Sequence, residues 1–146
     1  MPAEFNKMGI SFLYPDNWVL DENDAKAGQD SVTVFSPGGA FWSVSVHPPS
    51  ADPQRLAKTA LKAMEDEYKE LETEPVRQTI AEQKMIGYEI SFYYLDLINT
   101  ASILCFRGTG ASYAVFWQAE DRDLKLIQDV FLAITTSLVG NLLGHE

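Results

Sequence analysis

The residues best placed to do chemistry lie on a β-rich run in the first third of the chain, where Ser43, Ser45 and His47 occupy alternate positions. A serine beside a histidine, with an acid behind it, is the arrangement that performs acyl transfer. Residues two apart on a strand share a face but lie about 6.6 Å apart, too far for a hydrogen bond without side-chain reach. No Gly-x-Ser-x-Gly turn lifts either serine out of its strand. We therefore interpret the three residues as a polar sheet face and expect no catalytic residues, with a small hydrolase using His47 as the alternative.

Two other groups of reactive residues have ordinary interpretations. The one cysteine, Cys105, stands between Leu104 and Phe106, so we expect a buried and inert thiol although Arg107 would share its face. An acid-rich segment lacks the spacing and the closing glutamate of a calcium-binding EF-hand loop. We expect a solvated loop there, and neither a metal nor a cofactor in the protein; the acids of this segment are Asp21, Glu22, Asp24 and Asp30.

The balance of charge narrows the partners of this chain. Its 146 residues contain 21 acids against 11 Lys and Arg, a formal net charge of −10. Such a field repels phosphate backbones, so nucleic acid and anionic membrane surfaces are poor partners. Without a signal peptide or an apolar run of about 20 residues, the sequence predicts a cytoplasmic protein with no membrane insertion. The length predicts a single domain over residues 1–146.

Turn residues and apolar spacing divide the chain into strands and two main helices. Residues 10–14, 18–20, 31–36 and 40–47 are predicted strands, the last two joined by a glycine hairpin. A helix is predicted from Asp52, as N-cap, and Pro53, with acids that continue to Glu74 on its outer face. A second helix begins near Asp121 and ends at Gly140.

The strongest β pattern lies between the two helices. Residues 76–85, 88–97, 101–107 and 112–119 are predicted strands. Gly87 is predicted to mark a turn or a bulge, and turns are predicted at residues 99–100 and 108–110. Because such short connections require antiparallel pairing, the fold is predicted to be an α+β sandwich. It combines a twisted antiparallel sheet of about six or more strands with two main helices.

The order of these pieces resembles the PsbP-like family. The segment at residues 9–18, an apolar strand followed by Pro15 and Trp18, is similar to the opening of that domain. Gly87 before an alternating strand, the aromatic meander and a closing helix with Ile134-Thr135-Thr136-Ser137-Leu138 are similar to the rest, over a core of about residues 9–138. The group includes photosystem II extrinsic subunits, a Ran-binding nuclear transport factor, DcrB lipoproteins and Eag-type secretion chaperones. The resemblance implies a scaffold that mostly binds proteins and shares no catalytic residues.

The same strands offer a candidate binding surface. Small, polar and aromatic side chains alternate with the core positions, and such a face either lies under a helix or forms a shallow binding surface. The candidate residues are Ser43, Ser45, His47, Tyr93 and Phe116. We predict a non-enzymatic protein-binding module, an adaptor or chaperone, with an apolar small-ligand carrier as a further alternative. The protein partner is not named by the sequence, and pairing of strand edges in a homodimer is open.

Overall fold

Nine strands, two long helices and one helical turn make up the part of the chain, residues 2–26 and 30–143, that a computed structural model describes. The sequence predictions also cover residues 27–29 of the acidic loop and residues 144–146 of the tail, which lie outside the described part. In chain order the elements are β1 Pro2–Lys7, β2 Ile10–Pro15, β3 Val19–Asp21, α1 Asn23–Lys26, β4 Ser31–Phe35, β5 Phe41–His47, α2 Pro53–Glu67, β6 Leu71–Ile80, β7 Gln83–Tyr94, β8 Leu97–Arg107, β9 Ser112–Glu120 and α3 Asp121–Leu143.

Seven of the strands form one antiparallel sheet. Their order across the sheet is β3-β4-β5-β9-β8-β7-β6, while β1 and β2 pair separately as a two-stranded ribbon. Each long helix packs on one side of the large sheet, which confirms the predicted α+β sandwich. The sheet therefore has two edges, β3 and β6.

The larger core lies between the sheet, α3 and the ribbon. Trp42 and Phe12 pack with their ring centroids 4.8 Å apart, and Trp117 stacks on Phe131 of α3 at 5.6 Å. The buried indole of Trp42 donates a hydrogen bond from Nε1 to Oγ1 of Thr135, 3.0 Å away. On the opposite side of the sheet, α2 covers a smaller cluster, which includes Ile90, Phe92, Ala101, Ile103 and Cys105.

The start of α2 confirms the predicted cap, but its end corrects the prediction for the acids that follow. Asp52 accepts a hydrogen bond from the Gln54 backbone N–H at 3.3 Å, and Pro53 is the first helical residue. The helix ends at Glu67, so Glu72 and Glu74 are not helical and instead lie on the edge strand β6. An exposed edge strand faces solvent and is rich in charged residues, as the outer face of a helix is. The run of acids alone therefore does not distinguish the two structures.

Of the three predicted turns in the late strands, the one at residues 108–110 is confirmed between β8 and β9, and the other two are wrong. The predicted strand at residues 76–85 is broken by Ala81 and Glu82, and the chain turns at Leu95 and Asp96 rather than at residues 99–100. All four turn residues have positive φ, between 51° and 70°. Such turns ordinarily contain Asn or Gly, so the sequence carried no signal for them.

Gly87 lies in the middle of β7 and makes no turn. It pairs with Val76 on one side and Leu104 on the other, and a Cβ there would lie 1.6 Å from the Ile103 carbonyl oxygen. The residue is therefore glycine because β8 approaches the β7 backbone too closely for a side chain.

The two ends of the chain extend the predicted elements. The sequence did not predict β1, which contributes Phe5 to the core through a stacked contact with Phe12 at 5.2 Å. Gly140 was predicted to end α3, but the helix continues to Leu143 because Val139 and Leu142 still face the core.

Candidate functional site

Four of the five candidate residues lie on the same side of the sheet as α2. Ser43 pairs with Phe116 across β5 and β9, and His47 pairs with Ser112 in the same register. Phe116 in turn pairs with Ile103, which packs under α2. Since directly paired residues point to one side of a sheet, Ser43, Ser45, His47 and Phe116 share the α2 side.

Tyr93 lies on the opposite side of the sheet from these four residues. Tyr88 pairs with Ile103 and so belongs to the α2 side. Tyr93 is an odd number of positions further along the same strand, which turns it to the α3 side. The grouping of Tyr93 with Ser43 and Phe116 is therefore corrected: the aromatic character of Tyr93 was visible in the sequence, but its side of the sheet depended on the unseen turns.

The α2 side is only partly covered. The helix packs over β7, β8 and β9, and β5 and β4 continue beyond it toward the β3 edge. A row of apolar side chains crosses this end, with ring centroids of Phe35 and Phe41, and of Phe41 and Phe116, 5.7 Å apart. Val19, opposite Phe35, is 67% exposed. We call this surface the open face; it consists of Val19, Phe35, Phe41, Ser43, Ser45, His47 and Phe116.

Ser45 and His47 form a hydrogen bond on the open face. The Ser45 Oγ and the His47 Nε2 are 2.8 Å apart, so side-chain reach closes the distance that the strand spacing leaves between the two residues. Among the described residues, no carboxylate hydrogen-bonds to His47. A serine nucleophile with its base requires a third group to orient the imidazole. The pair thus has two of the three parts of a hydrolytic site, with Ser45 inside β5 and His47 at its last position.

Cys105 is fully buried beneath α2. Burial raises the pKa of its thiol to about 12. Because the thiolate is the nucleophilic form, the protonated and inaccessible sulfur of Cys105 is unreactive at neutral pH. The expected burial of this thiol is confirmed.

The acidic segment after β3 shows ordinary polar contacts. Glu22 pairs with Lys7 at 2.7 Å, and a carboxylate oxygen of Asp21 accepts a hydrogen bond from the Asn23 backbone N–H at 3.0 Å. Within residues 2–26 and 30–143, no group of three or more histidine, cysteine or carboxylate side chains is placed to bind a metal ion.

An apolar groove of about 600 Å³ runs between the β1–β2 ribbon and α3. Leu13, Tyr14 and Val130 line it, with Asp129 on the α3 side. The backbone N–H of Leu13 donates to Oγ of Ser137 at 2.9 Å, which fixes the ribbon against the helix. No sequence signal located this groove because β1, one of the two strands of the ribbon, was not predicted.

The sequence reasoning also missed the tip of the β7–β8 hairpin. Tyr94 pairs with Leu97 on either side of the two-residue turn, and Leu95 at its apex is 78% exposed. Tyr93 and Ile98 form the next pair. The run Tyr-Tyr-Leu-Asp-Leu-Ile was interpreted as strand, and only its unusual turn leaves the side chains in solvent. We call residues 93–98 the hairpin tip.

Comparisons with known proteins identify the fold. No family model matches the sequence, and no curated protein matches it. Three solved structures are similar over nearly the whole chain. Cyanobacterial PsbP (CyanoP) from Synechocystis sp. PCC 6803 is 18% identical, with a TM-score of 0.59, covering 93% of this chain and 90% of its own.

The two other structures come from other bacteria. PA94 from Pseudomonas aeruginosa, a protein of unknown function, is 11% identical with a TM-score of 0.58, over 94% of this chain and 95% of its own. A protein from Bacteroides thetaiotaomicron VPI-5482 is 13% identical with a TM-score of 0.64, over 92% of this chain and 47% of its own. The chain therefore has a PsbP-like fold, as the resemblance implied.

Identities this low show the fold and leave the function to the side chains. Within the described residues, no helix is long and apolar enough to cross a membrane. A function for this chain therefore has to be argued from its own surfaces: the open face, the groove between the ribbon and α3, and the hairpin tip.

Proposed function

We propose that this protein is a non-enzymatic binding module that holds an apolar segment of a partner protein on its open face. The observation that carries the proposal is the row of Val19, Phe35, Phe41 and Phe116, which reaches solvent on a sheet whose other side is filled by α3. Aromatic side chains provide large, rigid contact areas and dominate the energetics of many protein interfaces.

The polar residues of the open face support binding rather than catalysis. Ser43 lies directly opposite Phe116 of the aromatic row, and Ser45 lies two residues further along β5 on the same side, where their hydroxyls can hydrogen-bond to a partner backbone. The Ser45–His47 pair has no orienting carboxylate among the described residues. In this proposal His47 is one more hydrogen-bonding group at the margin of the surface.

The experiment is affinity capture from native extract followed by reconstitution with the captured protein in purified form. Val19→Ser with Phe35→Ser removes the two apolar residues at the outer end of the row. Leu126→Ser is the matched control, because Leu126 is 79% exposed on α3, away from the open face. We expect the double variant to weaken the reconstituted complex at least about tenfold, as loss of an interface hot spot does, and the control to bind normally. Equal affinity for all three proteins would refute the proposal.

The hydrolase alternative makes a different prediction for His47. A site that uses its imidazole as a general base would lose about two to four orders of magnitude in rate in His47→Ala. A screen of ester and phosphate substrates, in which wild-type protein and His47→Ala show equal background rates, is the result expected for a binding module.

Carriage of an apolar small molecule is a second candidate, favoured by the groove of about 600 Å³ between the ribbon and α3. Its volume is within the range of pockets that hold small ligands, about 300–1,000 Å³. Native mass spectrometry of protein purified from its host tests this candidate directly. A retained small molecule that is lost in Ala133→Trp, which narrows the groove, would support it.

A further inference from the structure

The hairpin tip carries more than half of the exposed large apolar side chains in the part of the chain that the structure describes. Nine large apolar side chains are exposed in the described residues, and five of them lie within the six residues of the tip. These five are Tyr93, Tyr94, Leu95, Leu97 and Ile98. Single exposed apolar residues are ordinary, but a contiguous group marks an interaction site.

The hairpin tip is anchored to the body of the protein from one side. The ring of Tyr94 meets Tyr68 edge-on at 6.0 Å, and Tyr68 packs on Phe92 at 4.4 Å. Tyr93 and Ile98 pair on the other side of the hairpin. The exposed side chains are therefore presented by a paired, anchored hairpin, and little ordering is needed when a partner binds.

An acidic strip runs along the sheet from the hairpin tip. A groove of about 530 Å³ is lined by Tyr93 and Ile98 together with Glu70, Glu72 and Lys69. The next groove, of about 390 Å³, shares Glu72 and adds Glu74 and Glu89. We call Glu70, Glu72, Glu74 and Glu89 the acidic strip.

The carboxylates of the acidic strip are uncompensated. Glu74 pairs directly with Glu89 across β6 and β7, a like-charge arrangement that destabilises a sheet. None of the four forms an ion pair within residues 2–26 and 30–143, and Lys69 is the one cation among the described residues that line the two grooves. A cationic partner would relieve this repulsion, and an apolar side chain beside its charges would contact Tyr93 and Ile98.

We propose that the hairpin tip and the acidic strip form a docking site for a partner-protein segment that carries Lys or Arg side chains next to an apolar anchor. The charge selects this occupant over others. An anionic membrane surface would be repelled by the strip. A second copy of this chain would bring acidic strips together, and Pro75 with its charged neighbours on the edge strand β6 is typical of edges that resist pairing.

This docking site is separate from the open face. The open face lies toward the β3 edge of the sheet, and the acidic strip lies on the β6 edge. The two proposals can therefore fail independently.

Selection from a phage-displayed library of random twelve-residue peptides tests the docking site without knowledge of the natural partner. The purified full chain is the bait. Glu72→Gln, Glu74→Gln and Glu89→Gln together remove three charges of the strip, and Tyr93→Ser with Leu95→Ser removes apolar surface at the tip. The control, Glu4→Gln with Glu65→Gln and Glu82→Gln, makes the same change in net charge at exposed positions elsewhere. Thermal unfolding verifies that all variants are folded.

We expect the selected peptides to be enriched in Lys and Arg beside Leu, Phe or Trp. Their binding should weaken at least about tenfold in both site variants, be lost progressively on raising the salt concentration, and remain unchanged in the control. Recovery of no binders, or of binders without basic residues, would overturn the proposal. Equal weakening in the control would show that only the overall charge acts. A dimer in light scattering that dissociates in the Tyr93→Ser, Leu95→Ser variant would identify a second copy as the occupant instead.

Discussion

Replacing Leu95 and Asp96 by Asn and Gly is expected to stabilise this protein. Both residues have positive φ, 53° and 64°. That region costs a side-chain-bearing residue roughly 1–2 kcal/mol, whereas Asn-Gly is the preferred pair in such two-residue hairpins. Leu95 is 78% exposed, so its removal sacrifices only about a fifth of the roughly 2 kcal/mol that full burial of a leucine contributes. Asn keeps part of the cost of positive φ, and Gly adds roughly 0.5–1 kcal/mol of backbone entropy to the unfolded chain. The net expectation is about 1 kcal/mol of added stability, or a Tm about 3 °C higher.

Urea unfolding, followed by the fluorescence of the three tryptophans, measures this difference. Asp96→Gly alone is the matched control, since it relaxes the turn and keeps Leu95. The double variant should be more stable than wild type yet lose the peptides selected on the hairpin tip, while the control keeps them. An unchanged or lowered free energy of unfolding in the double variant would refute the reasoning, because Leu95 would then be retained for packing.

Three further predictions concern the interior. Gly87→Ala should lower the free energy of unfolding by about 3 kcal/mol, because its Cβ would overlap the Ile103 carbonyl oxygen; Gly110→Ala, with open space around it, should not, and equal melting temperatures would contradict the account of β7. Thr135→Val should cost about 2 kcal/mol by leaving the buried Trp42 N–H unpaired; the exposed Thr136→Val is its control in the same urea titration. The folded-state pKa of Cys105 is raised to about 12 by burial, so stability should fall by about 1.4 kcal/mol per pH unit as the unfolded thiol ionises above pH 9 and the folded one stays protonated. The part of this fall that Cys105→Ala abolishes measures the contribution, and an identical pH profile in that variant would refute it.

Much of the fold was predictable because local signals and burial agreed. Asp52 and Pro53 start α2 as their side chains favour, and Phe131, Ile134 and Leu138 give α3 its buried stripe. The antiparallel pairing followed from short connections. In each case the residue type and the required conformation point to the same structure.

The errors arose where the residue type and the backbone conformation disagree. Leu95 and Ala81 are poor turn formers, and their positive φ is imposed by the pairing of the flanking strands. The missed turn at Leu95 also hid the apolar tip.

The side of the sheet that a residue faces depended on the same turns. Whether that residue is then covered depended on how far each helix extends over the sheet. Ser43, Ser45, His47 and Phe116 were placed together from strand alternation alone, whereas Tyr93 was not separated from them. How far α2 extends over the sheet depends on tertiary packing, so the exposure of Phe35 and Phe41 required the structure.

Photo-crosslinking from position 35 tests the binding function of the open face most directly. The photoreactive p-benzoylphenylalanine keeps the phenyl ring of Phe35 and adds a benzoyl group at its para position, and the same residue in place of the exposed Leu126 is the control. In the reconstituted complex, we predict a specific crosslink from position 35 to an apolar segment of the partner and none from position 126. A crosslink from position 126 with none from position 35 would contradict the proposed function.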